Sequence, residues 1–224
     1  MMNFDINYFL ELFPAVVPYI PITLLLAFVS MLIAIVVGVV LAFITKNKVP
    51  VLHQLATLYI SFFRGVPTLV QLFLIYYGLP QIFPSMSAMD AVTATIIGLS
   101  VKNSAYLSEI FRAALNSVDT GQLEACYTVG MSKFQGYARI ILPQAIKNAI
   151  PATGNTFIGL LKETSLAFTL GVTELFAQGK IIASSSLKYL ETYLVIAIVY
   201  WLLTIIYSYI QSLYEKRVNK PYET

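Results

Sequence analysis

Charge is scarce in this chain. Of its 224 residues only 11% are Asp, Glu, Lys or Arg, against about 25% in soluble domains, too few to cover a soluble surface of this size. With 15 Tyr and 14 Phe, the same shortage excludes a disordered chain, because disorder goes with charge and few aromatics. A lone cysteine, Cys126, excludes a disulfide scaffold. The only histidine, His53, lies far from it in sequence, which leaves no metal site of the usual ligand types. A net charge of +3 with scattered cations offers little to phosphates, so nucleic acid is not an expected partner. There is no G-x4-G-K-[S/T] phosphate loop, since Gly179-Lys180 lacks the upstream glycine. No nucleophile–base constellation is visible either, so the chain does not read as an enzyme. What it has instead is 58% hydrophobic residues and a mean hydropathy of +0.77. Its solvent is mostly lipid.

A membrane-crossing helix needs roughly 20 apolar residues. Leu12 to Thr45 and Thr192 to Tyr214 contain no charge, and Val51 to Leu79 is interrupted only by Arg64. Two weaker stretches, Ala91–Ala114 and Gln144–Leu170, carry polar and charged residues inside apolar runs. The fold class expected is therefore all-α integral membrane with about five spans, near 19–45, 51–79, 91–114, 144–170 and 192–214. Residues 1–18 form an outer N-terminal segment, 116–143 a cytoplasmic loop and 216–224 a tail. Asp5 and Glu11 stand where a signal peptide needs a basic region, so the first span is expected to be retained. Nine cations (Lys46, Lys48, Arg112, Lys133, Arg139, Lys147, Lys216, Arg217 and Lys220) fall on one side, against Lys180 and Lys188 on the other. The positive side faces the cytoplasm, which puts the N-terminus outside and the C-terminus inside, with His53 at the cytoplasmic interface. Spans one and five are expected to be apolar on all faces. Arg64, Lys102, Glu109, Lys162 and Glu163 lie in spans two to four, where a charge facing lipid costs about 2.5–3.5 kcal/mol. They should face protein or a wet cavity.

The loop from about Asn116 to Pro143 reads as two short helices. Asp119 with Gln122 and Ser132 with Gln135 have capping-box spacing, and Gly130 suits a left-handed helix end. Periodicity alone leaves a plain connector open, while a DNA-binding helix pair would need more cations than Lys133 and Arg139. The residues Glu124-Ala125-Cys126-x3-Gly130-x9-Ile140-x-Leu142-Pro143 resemble the EAA loop of ABC-importer permease subunits, E-A-A-x3-G-x9-I-x-L-P. The one departure is Cys126, small and apolar like the alanine it replaces. Arg64-Gly-Val-Pro-Thr-Leu-Val-Gln71, Ser104-Ala-Tyr-Leu-Ser-Glu109-Ile-Phe-Arg112, Gly121-Gln-Leu-Glu-Ala and Lys162-Glu-Thr-Ser-Leu166 are similar to segments of the polar amino-acid permeases. The resemblance covers roughly residues 20 to 215. It implies a type I importer fold in the bacterial plasma (inner) membrane, with two permease subunits, identical or paralogous, forming the pathway. An extracellular or periplasmic binding protein would deliver the polar amino acid. Two separate ATPase subunits would supply ATP and Mg chemistry, this chain holding no cofactor. Glu124, Ala125, Gly130, Ile140, Leu142 and Pro143 carry the expected coupling contact, helped by Leu123, Tyr127 and Met131 on one helix face.

The expected pathway residues fall in stripes. Arg64, Thr68 and Gln71 share a helical face at i, i+4 and i+7, with Gly65 and Pro67 inviting a kink among them. Lys102, Tyr106 and Glu109 make a second stripe beside Asn103 and Ser104. Lys162, Ser165 and Thr169 make a third, next to Glu163 and Thr164. A free amino acid presents an ammonium and a carboxylate: Glu109 answers the first, and Asn103, Ser104 and Arg64 the second. Equally, Arg64 pairing with Glu109 or Glu163 merely holds the bundle together, and Lys102 belongs to such a network. Pro151, Gly154 and Gly159 make a continuous stiff fourth span unexpected, whether as a gate or as small-residue packing. The rival reading is an ion-gradient-driven secondary transporter with Glu109 and Glu163 carrying protons. Five helices hardly enclose a route alone, so a permease pair is expected.

Overall fold

The computed structural model describes residues 4–219 and contains only helices and connections, with no strand among the described residues. Residues 1–3 and 220–224, including Lys220, lie outside them. Helix α1 (Ile6–Val16) starts at Asp5, whose side chain accepts from the Tyr8 N–H at 3.0 Å. A 3-10 turn, Val17–Tyr19, leads directly into α2 (Ile20–Lys46). The segment expected to precede the first span is thus mostly helix, and Ile6–Lys46 forms one apolar rod of 41 residues. Helix α3 (Leu52–Gly65) stops at Gly65, and α4 (Thr68–Phe73) restarts after Pro67. The expected kink is a full break: the two halves of this span are bent by 113°. A π-turn over Leu74–Gly78, the short α5 (Leu79–Ile82) and a 3-10 turn over Pro84–Ala88 follow.

Helix α6 (Ala91–Asn116) begins at Asp90, which caps the Thr93 N–H at 2.9 Å, and it is the centre of the bundle. Along it Thr95, Ser100, Asn103, Ser104 and Ser108 are all buried. Small residues let α2 come close: a Cβ added to Gly38 would sit 3.0 Å from the Leu107 Cβ and 3.2 Å from the Ser104 carbonyl. The two helices also exchange hydrogen bonds, Ser30 Oγ to the Ile96 carbonyl at 3.3 Å and Ser100 Oγ to the Ser30 carbonyl at 3.2 Å. Leu107, Ala27, Met31 and Ala34 join Phe157, Leu160 and Leu161 in the main core. Length and composition identify two continuous helices able to cross a membrane, and four when each bent pair is counted as one. Helix α6 is 26 residues long, but its hydroxyls and charges keep it off that count. Surrounded by protein, it does not need an apolar face.

The loop helices are α7 (Thr120–Thr128) and α8 (Lys133–Gly136). Ser132 and Gln135 form the reciprocal capping box, at 3.3 and 2.8 Å. Asp119 caps only the Gly121 N–H, at 2.7 Å, so the Asp119–Gln122 spacing yields a simple cap rather than a box. A π-turn over Tyr137–Ile141 joins α8 to α9 (Leu142–Glu163). Contrary to expectation, α9 is continuous through Pro151, Gly154 and Gly159. Proline removes one donor in a 22-residue helix, and packing on both sides retains the rest. The break comes later, in the 3-10 segment Thr164–Leu170. There Thr164, Ser165 and Thr169 each bond the carbonyl three residues back, at 2.7–2.8 Å, which favours the tighter helix. Gly171 (φ +91°) ends it, and α10 (Leu175–Ser186) continues at a bend of 54°. Helix α11 (Tyr189–Asn219) is the last of the described elements.

Candidate functional site

The two broken spans and the centre of α6 meet in one polar cluster. Arg64 occupies the last turn of α3, where a helix C-terminus favours a cation. Its guanidinium lies 5.5 Å from the Tyr106 ring centre, and the Tyr106 hydroxyl donates to the Arg64 carbonyl at 3.4 Å. The Lys102 ammonium lies 4.6 Å from the same ring centre and donates to Glu163 Oε1 at 2.6 Å. Glu163, in the last turn of α9, leaves Oε2 buried with no hydrogen-bond partner among the described residues. Two cations on one aromatic ring, with Arg64 exposed and Tyr106 37% exposed, make a surface that offers a carboxylate a partner, while the second Glu163 oxygen stays enclosed. Lys102 and Glu163 side chains are only 15% and 26% exposed, so their attraction is screened less than a surface pair.

The other residues named from sequence divide. Arg64, Thr68 and Gln71 do not form a stripe, because the helix that would align them is broken between Gly65 and Thr68. Gln71 is buried and its amide donates to the Phe63 and Val66 carbonyls, at 3.0 and 2.7 Å. It satisfies the orphaned end of α3 and so holds the bend. Thr68, half-buried, opens α4. No ion pair joins Arg64 to a carboxylate among the described residues: Glu163 is taken by Lys102, and Glu109 by Arg112 one turn along, at 2.5 Å. Asn103 and Ser104 turn inward rather than toward the cluster. Asn103 bonds the Leu99 carbonyl at 2.8 Å, and Ser104 meets the Tyr59 hydroxyl at 2.8 Å. Thr164 is buried and bonded to the Leu161 carbonyl, Ser165 is half-buried, and Lys162 is exposed.

On the loop between α6 and α9, Gly130 adopts φ +79° and ends α7 with paired bonds, Met131 N–H to the Cys126 carbonyl at 2.9 Å and Gly130 N–H to the Tyr127 carbonyl at 3.0 Å. This is the Schellman arrangement of a glycine-terminated helix. Cys126 is buried against α8: a Cβ on Gly136 would lie 3.3 Å from the Cys126 Cβ. The departure from alanine is thus accommodated by a glycine on the facing helix. Glu124 and Ala125 are exposed, with Tyr127 48%, Val129 75% and Phe134 80% exposed around them. Ile140 is half-buried, while Leu142 and Pro143 are exposed at the start of α9. Such a cluster of large apolar side chains on one loop is an exposed patch of the kind that a partner or the membrane covers.

One structural node escaped the sequence reading. Glu174 is fully buried at the start of α10, accepting from the Ala177 and Phe176 N–H groups at 2.8 and 3.0 Å and from the Tyr200 hydroxyl at 2.9 Å. Thr23 of α2 adds a longer contact, 3.4 Å, so the carboxylate ties α2, α10 and α11 together. The cap of α10 is a glutamate, not one of the usual Ser, Thr, Asp or Asn caps, and its side-chain partners lie 26 and 151 residues away.

The family model of the binding-protein-dependent transport system inner membrane component matches residues 34–220. The chain is 70% identical over its whole length, and that of its relative, to the probable amino-acid permease protein YxeN of Bacillus subtilis (strain 168). It is 48% identical to the probable amino-acid ABC transporter permease protein PatM of Vibrio harveyi, covering 99% of each chain. Among solved structures it is similar to a crystal structure of an amino acid ABC transporter with histidines, at a TM-score of 0.87 and 37% identity over 96% of this chain and 100% of that one. The secondary-transporter reading falls with these matches. The helical bundle, the broken spans and the capped loop between α6 and α9 belong to a multi-pass membrane protein, and the chain is a member of the binding-protein-dependent transport system inner membrane component family, the type I ABC importer permeases, whose ATPase is a separate subunit.

Proposed function

We propose that this permease moves a polar amino acid into the cell by alternating access, and that the Arg64–Tyr106–Lys102–Glu163 cluster lies on its route. The observation that carries this is the meeting of four ionic and aromatic groups from three inner elements, two of them ending at helix breaks. A carboxylate finds Arg64, exposed beside Tyr106, and an ammonium reaches the enclosed Glu163 oxygen when the cluster opens during the transport cycle. Helix ends that break at membrane depth present polar groups only where a cavity or protein receives them. The names of the relatives support the substrate class. Five spans with the N-terminus outside fit the distribution of cations.

The partners proposed are a second permease subunit, a pair of ATPase subunits carrying ATP and Mg at the Tyr127–Val129–Phe134 face, and an outer amino-acid-binding protein. With the co-purifying ATPase and binding protein in proteoliposomes, Lys102→Ala and Glu163→Ala each lower amino-acid uptake about tenfold or more while basal ATP hydrolysis persists. Wild-type uptake by both variants removes the cluster from the route.

A further inference from the structure

The charge-free last span is not apolar on every face. Ser208, Gln211, Ser212 and Glu215 fall at i, i+3, i+4 and i+7 of α11 and line a groove of about 250 Å³ with Pro151 and Asn155 of α9. Gln211 is fixed there: its amide donates to Glu215 Oε1 at 2.7 Å and to the Pro151 carbonyl at 3.3 Å. The absence of a side chain on Gly154 makes its seat, since a Cβ there would lie 2.2 Å from the Gln211 amide. Asn155, Ser208 and Ser212 are exposed. Polar groups standing open beside the hydrocarbon are costly, so this face meets water or protein rather than acyl chains. Asn155 is seven residues before Lys162 on α9, about 10 Å further along the helix toward the cation-rich end. The opposite face of α11, with Ile206, Ile210 and Leu213 exposed, is the one suited to lipid.

We propose that this groove is a second, cytoplasm-facing subsite that holds a primary ammonium group, that of the amino acid as it leaves. It rests on the transport reading above. Glu215 supplies the negative charge, with one carboxylate oxygen committed to Gln211, while Asn155, Ser208 and Ser212 supply neutral acceptors. Lys216 and Arg217 follow Glu215 by one and two residues, which turns them off the groove face.

The test uses the reconstituted complex with binding protein outside and amino acid preloaded inside, measuring how internal amino acid inhibits stimulated ATP hydrolysis. Glu215→Gln shifts the internal half-inhibition concentration upward about tenfold, the loss expected for one charged hydrogen bond, and leaves the external concentration dependence of uptake unchanged. In a Cys126→Ala background, Ser212→Cys reacts with a cationic thiol reagent from the inside and is protected by internal amino acid. An unchanged internal inhibition curve together with unprotected labelling overturns the subsite. An effect present only in vesicles containing phosphatidylethanolamine assigns the groove to a lipid headgroup and overturns it too. Cross-linking of Ser212→Cys between two copies shows that the partner permease fills the groove, with the same consequence. Loss of ATP-dependent uptake in the wild type bears instead on the transport reading.

Discussion

At the scale of single residues, the cluster is decided by who pairs with whom. Lys102 takes Glu163, Arg112 takes Glu109, and Arg64 is left on the Tyr106 ring. Removing either member of the partly buried Lys102–Glu163 pair should cost about 1–3 kcal/mol, between the values for exposed and fully buried pairs. A double-mutant cycle on thermal stability should return a coupling of that sign, and strictly additive losses would contradict the pairing. Tyr106 separates ring from hydroxyl. Its hydroxyl bond is long, 3.4 Å, so Tyr106→Phe should keep uptake within about twofold, whereas Tyr106→Ala, which removes the cation surface, should lower it about tenfold. Equal losses in the two variants would place the function on the hydroxyl instead. Gln71→Leu strips two carbonyls of their donor and should destabilise the protein by about 1–3 kcal/mol, read as a lower melting temperature in detergent.

Glycines and breaks govern the elements. Nothing stands within 4 Å of a Cβ on Gly130, so the cost of a side chain there is the φ of +79° itself, about 1–2 kcal/mol. Gly130→Val should therefore leave assembly of the bundle intact and reduce the coupling of ATP hydrolysis to uptake; a variant with wild-type uptake per ATP would remove Gly130 from the contact. Gly38 is the reverse case, with ordinary backbone but the Leu107 side chain and Ser104 carbonyl in the way. Gly38→Leu should separate α2 from α6 and cost more than about 2 kcal/mol, visible as loss of folded protein on size exclusion. These elements also show what a sequence makes legible. Gly130, the Ser132–Gln135 box and the break at Gly65–Pro67 were readable because local chemistry dictates them. The stripes through Arg64–Gln71 and Lys162–Thr169 were not, because a stripe presumes an unbroken helix. Hydroxyl bonding to the backbone ended α9 at Thr164, whereas Pro151, a stronger local breaker, was held straight by its neighbours. Glu174 and the Gln211 seat on Gly154 depend on contacts across the bundle that no window of sequence contains.

For the whole molecule, scarcity of charge separates three surfaces. The exposed Leu25, Phe28, Leu32 and Val36 of α2 and the Ile206 face of α11 suit lipid. The exposed apolar groups of the loop between α6 and α9 form the surface proposed for the ATPase. The polar groups of the Lys102–Glu163 cluster and of the Glu215 groove form the route proposed for the substrate. Coupling between the last two surfaces is the central claim, and energised uptake tests it most directly. Proteoliposomes holding the permease, its ATPase and its binding protein should accumulate a labelled polar amino acid when ATP is supplied on the ATPase side, and accumulate none when either ATP or the binding protein is omitted. Accumulation driven by a proton gradient alone, with ATP and binding protein absent, would contradict the account.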